Sequence, residues 1–197
     1  MDQQDRIDIF LDTKKKSKEF KKPASTKHSV KSIVKKRGNK SGHIIIEGTD
    51  TVSSAVKWSK KGKTCILNMA SASKPGGGVV QGAQAQEECL FRCSNLCESI
   101  TNKMYPLNKH EAIYTNSVTF FKDVKYDTMK PITVDVVTVA AVNLNRDSYF
   151  DETKMEWVEQ LNRKPLGYKR LTKKKIRLML SLAAHNKVDN LILGAWG

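Results

Sequence analysis

The chain has 197 residues, enough for one domain with a substantial core. Hydrophobic residues make up 39% and charged residues 28%, which excludes a chain too polar to bury a core. The 35 Lys plus Arg against 20 Asp plus Glu give a formal net charge of +15. That excess points to a polyanionic partner and does not choose among nucleic acid, an anionic surface and a phosphate-rich polymer.

Residues 1–41 are Lys-rich and read as a basic helical extension, with helices near 3–20 and 28–37. Ile7, Phe10 and Leu11 give the first helix an apolar stripe. The charged start is not a signal peptide, and no apolar run reaches the ~20 residues of a membrane span. An intracellular protein with no membrane partner is the expectation. The Lys runs at 14–16, 21–22, 35–36 and 173–175 lack interleaved aromatics. Each reads as solvated surface, and together they keep nucleic acid as a candidate partner. Nothing specifies an oligomeric state.

Residues 42–197 alternate strand and helix patterns. His43–Glu47 reads as a short apolar strand, and Asp50 or Thr51 caps a helix carrying Val52, Val56 and Trp58. Thr64–Ala70 reads as a strand buried on both faces. A long helix is expected from about Ala83 to Lys103, with Leu90, Cys93, Cys97 and Ile100 inward. Tyr114–Phe121 and Ile132–Ala141 read as strands, the second β-branched and bounded by Pro131. A helix is expected over 150–162, and an amphipathic one over Lys173–Lys187 with Ile176, Leu178, Met179, Leu182 and Ala183 inward. Leu191–Trp196 reads as a final buried strand. The fold class is α/β, with a mixed, largely parallel sheet covered on both faces. Ligands bind such sheets at the carboxyl ends of strands.

Cys65, Cys89, Cys93 and Cys97 read as reduced thiols. The last three fall at i, i+4 and i+8, a spacing that suits core packing rather than a zinc site. His28, His43, His110 and His185 share no spacing with them. No metal or cofactor is required by these residues. Phe120, Phe121 and Tyr149 read as core, with stacking on a base as the sharper alternative.

One segment carries chemistry. Pro75-Gly-Gly-Gly-Val-Val-Gln-Gly-Ala-Gln-Ala-Gln-Glu-Glu88 combines three glycines, a spacer and two carboxylates. Glycines permit strained backbone and close approach to a ligand, so a phosphate cradle beside a carboxylate is expected. Adjacent helical residues point about 100° apart, so Glu87 and Glu88 have different jobs. Cleaving a glycoside needs an acid that protonates the departing oxygen and then activates water. Burial would hold that acid protonated near neutrality. Capping of the helix start is the plainer reading of the pair.

Leu67 to Glu88 resembles the microbial-type poly(ADP-ribose) glycohydrolases, a macrodomain-like family. Leu90–Leu96 with Arg92 and Ser94, Tyr114–Asp123, Val134–Asn143 and Leu191–Gly197 extend the likeness over most of residues 43–197, with weaker matches at Asp12–Thr13 and Asp50–Thr51. The resemblance implies a three-layer α/β/α domain over 42–197. It also implies hydrolysis of ribose–ribose O-glycosidic bonds in poly(ADP-ribose), releasing ADP-ribose. In it Glu88 is the catalytic acid and Glu87 holds the reacting ribose, while Gln86 orients its neighbours. Gly76, Gly77, Gly78 and Val79 bring N–H groups toward the diphosphate and ribose. Asn68 is a further ligand contact or a core amide, and Asn143 and Asn145 line the site or form a turn. Gly194, Ala195, Trp196 and Gly197 begin a second phosphate loop. The chain departs from the family at Lys74, where Asn is usual, and at Gly197, beyond which the family continues through Cys-Gly-Val-Phe to further helix and strand. The expectation is a C-terminally incomplete domain, with an ADP-ribose-binding macrodomain of impaired catalysis, or a degenerate fragment, as the alternative.

Overall fold

The computed structural model describes residues 1–29, 42–142, 148–151, 156–159 and 167–195. In chain order these form α1 (Gln3–Lys16), β1 (Ala24–Ser29), α2 (Thr51–Trp58), β2 (Thr64–Ala70), α3 (Gln86–Cys93), β3 (Glu111–Lys122), β4 (Thr128–Ala140), β5 (Ser148–Asp151), β6 (Glu156–Glu159), α4 (Tyr168–His185) and β7 (Asn190–Ile192). Five strands make a mixed sheet of order β1-β3-β4-β2-β7. β2 runs parallel to β4 and β7, and β3 runs antiparallel to β1 and β4.

Side-chain alternation along β2 divides the core. Ile66 faces the layer holding Val52, Leu90, Phe91 and Phe120, while Cys65 and Leu67 face Leu178, Met179 and Leu182 of α4. The result is a three-layer α/β/α domain. α2 starts at Asp50, whose side chain accepts from the Ser53 N–H at 2.8 Å. Phe120 and Phe121 are core residues, and Phe121 stacks on Phe20 with centroids 4.8 Å apart. Cys65 and Cys93 are buried, Cys89 and Cys97 half-buried, and all four are free thiols.

Several sequence expectations need correction. Residues 43–47 form no strand. Glu47 instead ties the segment to α2, accepting from Ser54 Oγ, Trp58 Nε1 and Lys57 Nζ, which leaves Ile44 and Ile46 exposed. The helix expected at 28–37 begins in β1, which pairs with β3 through Ser29; the rest lies outside the described residues. The long helix stops at Cys93. Ser94 is extended (φ −146°, ψ 172°), bridges Phe120, and its Oγ caps the Leu90 carbonyl at 2.7 Å. Asn95 then accepts from the Thr119 N–H and donates to the Lys21 carbonyl, contacts a continuing helix would forbid. Short 3-10 turns follow at Asn95–Glu98 and Asn102–Met104.

Residues 148–151 and 156–159 are an antiparallel strand pair rather than a helix. Tyr149, Phe150, Trp157 and Val158 are strand-favouring types, and propensity prevails there. In α4, Ile176 is turned outward. The buried stripe is Lys175, Leu178, Met179, Leu182 and Ala183, an i, i+3, i+4, i+7, i+8 set. Lys175 is therefore not solvated surface: its Nζ donates to the Ala140 carbonyl at 2.6 Å, and burial lowers its pKa. β7 is three half-buried residues at the sheet edge, not a buried strand to 196.

A second buried lysine fastens α1 to the sheet. Lys122 Nζ donates to Asp12 Oδ2 at 2.7 Å and Thr13 Oγ1 at 2.8 Å. Asp12→Ala leaves this buried cation under-compensated and should cost about 2 kcal/mol, less than a fully buried pair because Asp12 is half exposed. Urea unfolding checks this, and an unchanged midpoint would mean that water replaces the carboxylate.

Candidate active site

Parallel β2 and β4 end together at Ala70 and Ala140, and the catalytic candidates gather at that end. The first turn of α3 lies under the glycine loop and across the end of β2. Gln86 fixes this junction: its Nε2 donates to the Leu67 carbonyl at 2.6 Å, and its Oε1 accepts from the Met69 N–H at 2.9 Å. The side chain thus continues the backbone ladder of β2 and fixes the start of α3 against it.

Glu87 and Glu88 are both buried, 3% and 6% exposed, so neither merely caps the helix into solvent. Both oxygens of Glu87 are engaged. Oε2 accepts from the Ser71 N–H at 2.7 Å, and Oε1 from the Gly76 N–H at 3.2 Å and Asn68 Nδ2 at 3.3 Å. Glu88 differs. Its Oε1 accepts from the Gly78 N–H at 2.8 Å, and Oε2 makes no hydrogen bond among the described residues. One carboxylate is locked, and the other has a free oxygen.

The glycines serve the carboxylates. Gly76 and Gly77 have φ of +69° and +53°, in the left-handed region. A Cβ on Gly77 would sit 2.5 Å from Glu88 Oε1. The four N–H groups expected to face a ligand all bond within the protein: Gly76 to Glu87, Gly77 to the Lys74 carbonyl, Gly78 to Glu88 and Val79 to the Gly76 carbonyl. Two of these donors are thus taken by buried carboxylates, whose desolvation makes such bonds necessary. Val79 is buried in the core.

Asn68 is fully buried. Its Nδ2 reaches Glu87 and Thr138 Oγ1, and its Oδ1 has no partner among the described residues. Lys74 Nζ contacts Gln81 Oε1 at 3.4 Å. α1 holds the far side of the loop, with Gln3 and Arg6 donating to the carbonyls of Gln81 and Gly82. Arg92 ties α3 to the Ala83 carbonyl at 2.6 Å. A cavity of about 1030 Å³ adjoins Gln86, lined by Asp50, Thr51, Cys89, Leu193 and Gly194 among others. Ala195 follows, exposed, whereas Trp196, Gly197, Asn143 and Asn145 lie outside the described residues.

One residue escaped sequence reasoning. The buried hydroxyl of Tyr105 has no partner among the described residues, and burial, with the Glu87 charge adding to it, raises its pKa. A lone Tyr before Pro gives no sequence signal for this. Among the described residues, no group of three or more His, Cys, Asp or Glu side chains is placed to hold a metal, and no helix is long and apolar enough to cross a membrane.

Burial pushes the Glu87 carboxyl up to about 7, and the neighbouring Glu88 adds to the rise, against the donors on Ser71, Asn68 and Gly76. From its ordinary value of 4.5 up to about pH 7 the folded protein keeps a proton that the unfolded chain has lost. This contribution, about 3 kcal/mol, is full below pH 4.5 and disappears as pH rises through 7. Denaturation at pH 5 and pH 8 should show that fall, and Glu87→Gln should flatten it. Equal pH slopes in both proteins would show that Glu87 does not titrate in this range.

A family model described as the microbial-type PARG catalytic domain matches residues 2–125. The chain belongs to the microbial-type poly(ADP-ribose) glycohydrolase family. No curated protein matches its sequence. The solved poly(ADP-ribose) glycohydrolase from Thermomonospora curvata superposes with a TM-score of 0.77 at 21% identity, over 98% of this chain and 80% of that one. The same enzyme bound to the inhibitor ADP-HPD gives a TM-score of 0.74 at 21% identity, over the same shares of both chains. At that identity the likeness is one of fold. The enzyme from Deinococcus radiodurans in complex with ADP-ribose gives a TM-score of 0.62 at 29% identity, over 75% of this chain and 60% of that one.

Proposed function

We propose that the chain hydrolyses ribose–ribose O-glycosidic bonds in poly(ADP-ribose), with Glu88 as acid and then base. The observation that carries the assignment of roles is the free Oε2 of Glu88 beside a Glu87 whose oxygens both accept protein N–H bonds. A proton-transfer group needs an oxygen open to substrate. In the first half of the reaction Glu88 gives its proton to the departing ribose oxygen as the bond from the anomeric carbon breaks. The developing oxocarbenium-like charge lies beside two carboxyl groups. In the second half Glu88 takes a proton from water, whose oxygen bonds the anomeric carbon. Both halves balance, and the acid is regenerated.

Glu87, immobilised from three sides, positions the reacting ribose through its hydroxyls. Asn68 and the Gly76 N–H hold Glu87 rather than the ligand. The cavity beyond Gln86 takes the ADP portion, with Gly194 and Ala195 at its rim. Titration calorimetry with ADP-ribose tests this reading. One-to-one binding, competed by the polymer, is expected. The absence of heat at millimolar ADP-ribose would reject it.

A further inference from the structure

A second cavity, about 320 Å³, opens at the same end of the sheet, on the side of β3 and β4 away from β7. It is lined by Lys109, His110, Val142, Gly167, Tyr168, Arg170, Leu171 and Lys174, with no carboxylate among these. Lys109, Arg170 and Lys174 take part in no salt bridge among the described residues. Unpaired cations grouped in a concavity are unfavourable together unless an anion joins them.

Its position follows from the chain. β4 ends at Ala140, one strand from the end of β2, and Lys175 of α4 reaches back to the Ala140 carbonyl. The Leu107 N–H donates to the Ala72 carbonyl at 2.8 Å, so the segment leading to Lys109 lies against the loop that begins the glycine run. The basic cavity and the carboxylate pair therefore share one end of the molecule. The ADP cavity lies on the opposite side of that pair, toward β7.

We infer that the Lys109, Arg170 and Lys174 cavity binds the diphosphate of the neighbouring unit of poly(ADP-ribose), across the scissile bond from the ADP cavity. This rests on the glycohydrolase reading. Every ribose–ribose linkage in the polymer lies between two diphosphates. A cleft that cuts that linkage meets one anion on each side, and monomeric ADP-ribose supplies only one. The cavity therefore distinguishes polymer from monomer.

The test is the triple variant Lys109→Ala/Arg170→Ala/Lys174→Ala in the full chain. Fluorescence anisotropy with labelled poly(ADP-ribose) should show at least a tenfold weaker affinity. The slope of log K against log salt should fall by about 2, three contacts at about 0.7 each. Monomeric ADP-ribose, measured by calorimetry, should bind within twofold of the unaltered protein, which also reports an intact fold. Unchanged polymer affinity and salt slope would overturn this inference alone. Equal weakening for single-stranded DNA would also overturn it, by assigning the cavity to polyanions in general. If the unaltered protein binds neither ADP-ribose nor polymer, the glycohydrolase reading and this inference fall together.

Discussion

Glu88→Gln should lower kcat on poly(ADP-ribose) by about 10²–10⁴-fold, the range for loss of a general acid and base. The fold should barely notice the change. Gln matches Glu in shape, its amide oxygen can accept the Gly78 N–H as Glu88 Oε1 does, and its NH₂ then occupies the place of the unbonded Oε2. ADP-ribose affinity should stay within a few fold. Glu87→Gln makes the contrast. Each oxygen of Glu87 faces an N–H donor, so an amide nitrogen on either side meets a donor it cannot satisfy. That variant should raise KM, with a smaller loss in kcat. The raised pKa of Glu87 is the observation favouring the opposite assignment. A large kcat loss in Glu87→Gln with near-normal Glu88→Gln would establish it.

Gly77→Ala should damage stability and turnover together. Its Cβ would lie 2.5 Å from Glu88 Oε1 and 3.2 Å from Glu87 Oε2, on a backbone at φ +53°. The left-handed angle alone costs Ala about 1–2 kcal/mol. Relief of the clash moves Glu88 off the Gly78 N–H and disturbs Glu87. We expect about 2–3 kcal/mol of lost stability and at least ~100-fold lower turnover, since a displacement near 1 Å in a catalytic group has that effect. Gly48→Ala is the control, with nothing within 4 Å of its Cβ. Denaturation and turnover of both variants check this, and near-normal behaviour of Gly77→Ala would mean the loop is not clamped on the carboxylates.

The parts legible in the sequence were those where one local signal and the tertiary fold agree. Asp50 is a helix cap, Thr64–Ala70 a central strand and Gln86-Glu87-Glu88 the first turn of a helix. The placing of the carboxylate pair at the end of β2 followed from them. The direction of the glycine N–H groups did not. A glycine run announces unusual angles but not the acceptors, and these proved to be the carboxylates ten and eleven residues on. Lys122 and Lys175 were hidden for a related reason. Each is buried against acceptors on a distant element, Asp12 and Thr13 for Lys122 and the Ala140 carbonyl for Lys175, which no local pattern encodes. The break at Ser94 was masked because Cys97 and Ile100 continue the helical spacing past it. Only the contacts of Asn95 with Lys21 and Thr119 reveal why the helix stops.

The central claim is that a carboxylate pair clamped by glycine N–H groups cleaves ADP-ribose polymer. Incubation of the purified chain with poly(ADP-ribose), followed by chromatographic quantification of free ADP-ribose, tests it most directly. The account predicts release that rises linearly with enzyme and is lost in Glu88→Gln. Binding of the polymer with no release at high enzyme concentration, or release undiminished in Glu88→Gln, would contradict it.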